Sequence, residues 1–254
     1  MTPDPQFDND NLARAENILL DDEIARQYFQ GELYDRNGNR LTNMTLKRQN
    51  GTALNLDEKT IGRLFMIPDG SAVWALQVGE NGDAPAGLAV QSNNPFIARD
   101  EQNSVIAFHE EIGPAMWIEA LHVRRLMLEK KAPKHFGTIA FGLMAIAAYR
   151  LRFEYISLFA AGHGPLRSKN SDALVGFHVW PKFGFDAQIT PVEFNRFPTK
   201  KLAGARTVQD TIAADPLWWP MHGSGRAMRF DLKAKSRSWS ILLNYIYKAL
   251  VEKS

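Results

Sequence analysis

The sequence predicts a mixed α+β (α/β) fold in which a mostly antiparallel central sheet is flanked by helices and continued by a C-terminal α/β extension. Three patterns lead there. Between residues 72 and 123 four strand-like segments follow one another with only turns or short loops between them, which implies antiparallel neighbours. A helical segment then separates the fourth from another buried strand-like run, so that one connection is a parallel crossover. The chain finally carries an apolar stripe at helical spacing near its end.

The elements follow in order. Residues 9–30 place Leu12, Ala15, Ile18, Leu19 and Ala25 among acidic residues with a helical period. From 31 to 56, Gly31, Asn37-Gly38-Asn39, Asn43 and Asn50-Gly51 punctuate short polar runs and predict a hairpin-like excursion. Strands are expected over Ala72–Val78, Ala86–Ser92, Ser104–His109 and Ala115–Val123, the last with Trp117, Glu119, Leu121 and Val123 on one face. A charged loop from Arg124 to His135 leads to a helix from Gly137 to about Leu151, whose small and apolar residues suit close packing on a sheet. Tyr155–Ala160 reads as the parallel strand, and a helix of roughly Ser171–Trp180 is ended by Pro181 and Gly184. Beyond Pro191 come a helix near Thr207–Ala214, a Trp- and Gly-containing segment 218–225, a strand Ala227–Leu232 and a helix from about Ser238. That last helix stripes Trp239, Leu242, Leu243, Ile246, Tyr247 and Leu250 along one face. The expected organisation is 1–68 as an N-terminal helical and hairpin region, 69–190 as the core, and 191–254 as an extension packed on it.

Composition narrows the function. Of the 254 residues 45% are hydrophobic and 23% charged, a globular balance. No apolar run reaches the ~20 residues of a membrane helix, so no membrane partner is expected. The absence of cysteine excludes disulfides, thiolate metal sites and a cysteine nucleophile. The first 30 residues carry seven acids against two arginines, the reverse of an export or transit signal, and the expected compartment is cytoplasmic. Charge is polarised: residues 195–254 hold eleven Lys/Arg and four acids within a chain of net charge +2. Such a tail suits an anionic partner or is simply a solvated face.

Three segments are specific. Ile118-Glu-Ala-Leu-His-Val123, then Lys134-His-Phe-Gly-Thr-Ile139 opening a helix, then Trp180-Pro-Lys-Phe-Gly-Phe185 ending one, resemble in order and spacing the GNAT superfamily of N-acetyltransferases, over residues 72–185. The resemblance implies a GNAT-like sheet and an acetyl-CoA or other acyl-CoA co-substrate. Its diphosphate would lie on Lys134, His135, Phe136, Gly137 and Thr138, where a helix start offers N–H groups and a partial positive charge. An ordinary basic loop capping a helix is the competing reading of those residues. By the same resemblance pantetheine lies along the backbone of Leu121, His122 and Val123, with Tyr155–Ala160 as the other wall. Two positions depart from the family pattern: Ile139 replaces the second glycine and is expected to crowd the phosphate, and Trp180 replaces the tyrosine that protonates the leaving thiolate.

The expected chemistry is acyl transfer to an amine by direct attack in a ternary complex, with Glu119 as base, or His109 or His178 in its place. His163 and His222 sit in Gly-containing loops without a partner nameable from sequence. No Ser-His-Asp order or His-x-x-x-His spacing is present, so no metal is expected. The acceptor is left open among a protein amine, an aminoacyl-tRNA and a small molecule. Two alternatives stand beside this reading: a transferase drawing on aminoacyl-tRNA or a carrier-protein thioester, and a non-catalytic GNAT-fold binding module.

Overall fold

A computed structural model describes residues 3–48, 50–98, 101–114, 116–166 and 174–252. The amino-terminal helical period is broken into pieces: α1 (Pro5–Phe7), a π-turn over Asp8–Leu12, α2 (Ala13–Asp21) and α3 (Glu23–Tyr28). The break falls at Asp22, which is extended (φ −69°, ψ 142°) and whose carboxylate accepts from Ile24 N at 2.9 Å, so the residue starts a new helix. Leu12, Ala15, Leu19 and Ala25 are buried as their spacing predicts.

The excursion that follows contains a bridge between Tyr34 and Arg40, then the hairpin β1 (Asn43–Lys47) and β2 (Ala53–Asp57). Asp57 caps α4 (Glu58–Leu64) through Thr60 N at 2.7 Å. The main sheet comprises β3 (Ala72–Val78), β4 (Gly87–Asn93), β5 (Asn103–Gly113), β6 (Met116–Arg125), β7 (Tyr155–His163) and β8 (Ser224–Asp231), in that spatial order. Between β6 and β7 runs α5 (Phe136–Arg150). After β7 come α6 (Gly176–Val179), a 3-10 turn Trp180–Phe183, α7 (Pro191–Arg196), α8 (Val208–Ala214) and α9 (Trp218–His222); α10 (Arg237–Leu250) follows β8.

The sheet is a mixed, mostly antiparallel one flanked by helices, and all its neighbours are antiparallel except β6 and β7. That parallel pair is the expected crossover. Its register holds only Leu121–Ile156, His122–Ser157 and Val123–Leu158, after which β6 runs on to Arg125 and β7 to His163. The strand from the last third of the chain, β8, is the sixth strand of this sheet rather than part of a separate layer.

Alternation sorts β6 onto two faces. Leu121 and Val123, with Val105, Ile156 and Leu158, join one continuous core with α5; α2, α3, α4 and α10 all pack on that helix. The core reaches from Phe7 to Ile246, so all three expected segments share it. The other face carries a small cluster of Ala84, Ala89, Ile106, Phe108, Ala120 and Tyr155.

Several expected stretches differ: β5 runs on to Gly113, β6 to Arg125 and β7 to His163, and β8 begins already at Ser224. Of the helix expected over 171–180, residues 171–173 lie outside the described ones and the helical part begins only at Gly176, where Val175 is its non-helical flank. In α10 the buried stripe is Trp239, Leu242, Ile246 and Ala249, while Tyr247 is exposed, because a 3.6-residue period carries position 247 off the core side.

Candidate functional site

The largest cavity described, about 640 Å³, lies on the sheet face opposite α5. Its floor is β6, β7 and β8, presenting His122, Ser157, Tyr155 and Arg229; its wall is the segment 184–188 with Thr207 and Gln209. That wall is built as a short edge. Asp186 and Arg229 exchange backbone N–H···O bonds of 2.9 Å, and Gln209 Nε2 donates to the carbonyls of Pro181 (2.7 Å) and Phe185 (2.8 Å). Gly184 turns the chain there with φ +94°, a conformation that suits glycine.

His122 is 4% exposed, and its Nδ1 lies 3.0 Å from Ser157 Oγ, across the parallel pair. Ser157 has one proton, which it donates to the Leu121 carbonyl at 3.3 Å. With its proton so placed, its oxygen can accept from His122 Nδ1–H, the tautomer that leaves the Nε2 lone pair of the imidazole as acceptor. Burial, with Arg124 adding to it and Asp83 opposing it, holds the His122 pKa below the ordinary histidine value. The ring is neutral at physiological pH.

Beside it, Tyr155 donates its hydroxyl to Glu110 Oε2 at 2.5 Å, and Arg229 Nη2 reaches Glu110 Oε1 at 3.2 Å. The Arg229 guanidinium also lies 4.2 Å from the Tyr155 ring centroid. Burial and the Glu110 carboxylate push the Tyr155 pKa upward, so the phenol keeps its proton. Asp186 accepts from Ala187 N (2.9 Å) and Gln209 N (3.0 Å), yet burial raises its pKa above the usual carboxylate value. The cavity thus combines a buried neutral imidazole, a fixed phenol, the carboxylates of Asp83, Glu110, Asp186 and Asp231 and the guanidiniums of Arg229 and Arg237.

The other site residues expected from sequence fall elsewhere. Glu119 and His109 are register partners, on the α5 side of the sheet, and Glu119 Oε2 is 3.0 Å from Arg48 Nη1. His178 stands on α6, its pKa lowered by burial and by Lys182, and lines none of the three cavities described. At the start of α5, His135 adopts the left-handed conformation (φ 69°) as N-cap, Phe136 and Thr138 are buried, and Gly137 is partly exposed. The N–H groups of Phe136 and Ile139 go to Pro133 and His135 carbonyls, and no cavity described reaches Lys134–Thr138. The Ile139 side chain is fully buried in the core. Trp180 packs edge-on against Phe141, Phe183 and Phe185.

From sequence, His122 and Tyr155 enter only as backbone of the two facing strands, and Asp186 has no assigned role. The usable signal was the alternation along 118–123, which sets His122 opposite Leu121. Among the described residues no cluster of three or more His, Asp or Glu could hold a metal ion, and no helix is long and apolar enough to cross a membrane.

No protein-family model, curated protein or solved structure matches this chain.

Proposed function

We propose that the protein is a GNAT-like N-acyltransferase that moves an acetyl or other acyl group from acyl-CoA to an amine bound in the large cavity. The observation that carries this reading is the His122–Ser157 pair, set across a parallel strand pair of three rungs on the floor of that cavity. The order of elements supports it: antiparallel strands, then a parallel crossover through α5, as the sequence resemblance implies.

In this scheme His122 Nε2 takes a proton from the ammonium group of the acceptor, and the free amine attacks the thioester carbonyl. The C–N bond forms and the C–S bond breaks. The imidazolium, with a pKa below that of a thiol, returns its proton to the departing thiolate, and the freed imidazole takes the remaining extra proton from the newly acylated nitrogen and passes it to solvent, leaving the neutral amide. Glu119 is less suited to this role, because Arg48 holds it in an ion pair on the opposite face. The divergence of β6 and β7 beyond Val123 and Leu158 is where pantetheine would run.

The partly occupied start of α5 favours, as a second reading, a donor whose handle is not a diphosphate, such as a carrier-protein thioester or aminoacyl-tRNA. Melting temperature with acetyl-CoA, with CoA and ADP as controls, separates the two. Saturation at 100 times Kd adds about 2.7 kcal/mol, and each kcal/mol moves a chain of this size by roughly 2–4 °C. A shift of several degrees with the thioester, followed by loss of transfer in His122→Gln, is expected. No shift with any of the three moves the donor to the second reading, and no transfer from those donors either leaves a binding module.

A further inference from the structure

Behind β6, on the α5 side of the sheet, lies a second cavity of about 390 Å³. Its walls combine the apolar Leu46 and Leu54 from the β1–β2 hairpin, Leu88 from β4 and Phe153 after α5 with the polar Thr45, Lys47 and Gln77. Its polar end is built by Arg48 and Glu119, whose side chains are 19% and 16% exposed. Their contact of 3.0 Å uses one guanidinium nitrogen and one carboxylate oxygen, while Arg48 Nη2 is anchored on the Leu151 carbonyl at 2.5 Å. His109, the register partner of Glu119, stands at the exposed rim of the same end.

Arg48 and Glu119 satisfy one another and the Leu151 carbonyl, and neither leaves a buried side-chain atom without a partner, so a guest that replaces the water at their open edges must offer polar groups of its own. A purely apolar guest would cover them without supplying any, and a simple anion would meet Glu119. A zwitterion answers both charges within the span of one carbon atom. The volume lies at the small end of ligand pockets, enough for one small molecule.

We propose that this cavity binds a free α-amino acid with an apolar side chain. Its ammonium lies on Glu119, its carboxylate on Arg48 and His109, and its side chain among Leu46, Leu54, Leu88 and Phe153. The site is separate from the acyl-transfer cavity, since His122 points to the other face of β6.

Titration calorimetry of the full chain with L-leucine and L-phenylalanine tests the assignment. N-acetyl-L-leucine and L-leucinamide each lack one charge, and loss of a charged hydrogen bond predicts affinity about tenfold or more weaker for each. L-glutamate is expected not to bind. Glu119→Gln and Arg48→Met are expected to weaken L-leucine by a similar factor, and Leu54→Trp to abolish binding by filling the cavity. Variants are compared only where far-UV circular dichroism and a cooperative melt show the fold retained. His122→Gln is expected to leave amino-acid affinity unchanged, so this site and the acyltransferase reading stand or fall separately. The proposal is overturned if neither amino acid binds at millimolar concentration, or if binding survives both Glu119→Gln and Leu54→Trp unaltered.

Discussion

His122 of β6 and Ser157 of β7 are register partners in the parallel pair, and their side chains meet at 3.0 Å on the cavity floor. Burial disfavours the imidazolium, so the base is ready at lower pH than an ordinary histidine. The rate of transfer under saturating donor is expected to fall on the acid side, with an apparent pKa below 6.5, the ordinary value. His122→Gln is expected to lose that limb together with at least about 10²-fold in kcat. A limb that persists in the variant assigns the base to another group.

In the proposed reaction Ser157 acts only by holding the ring. Ser157→Ala removes one neutral hydrogen bond, worth about 1 kcal/mol, and frees the choice of tautomer. A fall of about fivefold in kcat with KM unchanged is expected; a rise in KM alone would instead place Ser157 in acceptor binding.

Asp186 gives a test of stability that does not depend on activity. Its folded pKa is raised above the unfolded value, chiefly by burial. The folded chain then holds that proton more tightly, and stability is lost as pH rises from the unfolded pKa through the folded one. His122 runs the other way: with a lowered folded pKa, its contribution is present above the ordinary histidine value and lost as pH falls through the folded one. Asp186→Asn keeps the side-chain oxygen that accepts from Ala187 and Gln209 while removing the buried charge. Urea melts are expected to show the variant more stable than the parent at pH 7, with the difference shrinking in acid. A variant less stable at pH 7 would mean that the ionised carboxylate is favoured there.

The pattern of strands and helices was legible because each rests on local periodicity: β3 falls on the expected residues, and β4, α5 and α8 begin and end within a residue or two of them. The site was not, because its pairs are remote in sequence. Ser157 is 35 residues from His122, Tyr155 is 45 from Glu110, and Arg229 is 119 from Glu110. No spacing rule links such positions until the order of strands is known. Alternation on β6 separates Glu119 from His122, but only the tertiary partners, Arg48 for one and Ser157 for the other, distinguish an ion pair from a poised base. The end of the segment 180–185 is a similar case: Gly184 is readable as a helix stop, whereas its role as the corner of a cavity wall depends on Gln209.

That corner yields the sharpest stability prediction. Gly184 has φ +94°, and a Cβ built there would lie 2.3 Å from the Ser238 carbonyl oxygen, a backbone atom at the start of α10. Alanine must therefore bear left-handed strain and also push α10 away from the 3-10 turn. Gly38 has φ +82° but open space around its Cβ position, so Gly38→Ala isolates the strain alone, about 1 kcal/mol. Gly184→Ala is expected to cost at least about 2 kcal/mol more than that control, or roughly 4–8 °C in Tm. Because the turn leads into Asp186 and the cavity wall, the same substitution is expected to weaken acceptor binding, read as a rise in KM. Equal melting temperatures for Gly184→Ala and Gly38→Ala would show that α10 does not close against this turn and that the wall is held by Gln209 alone.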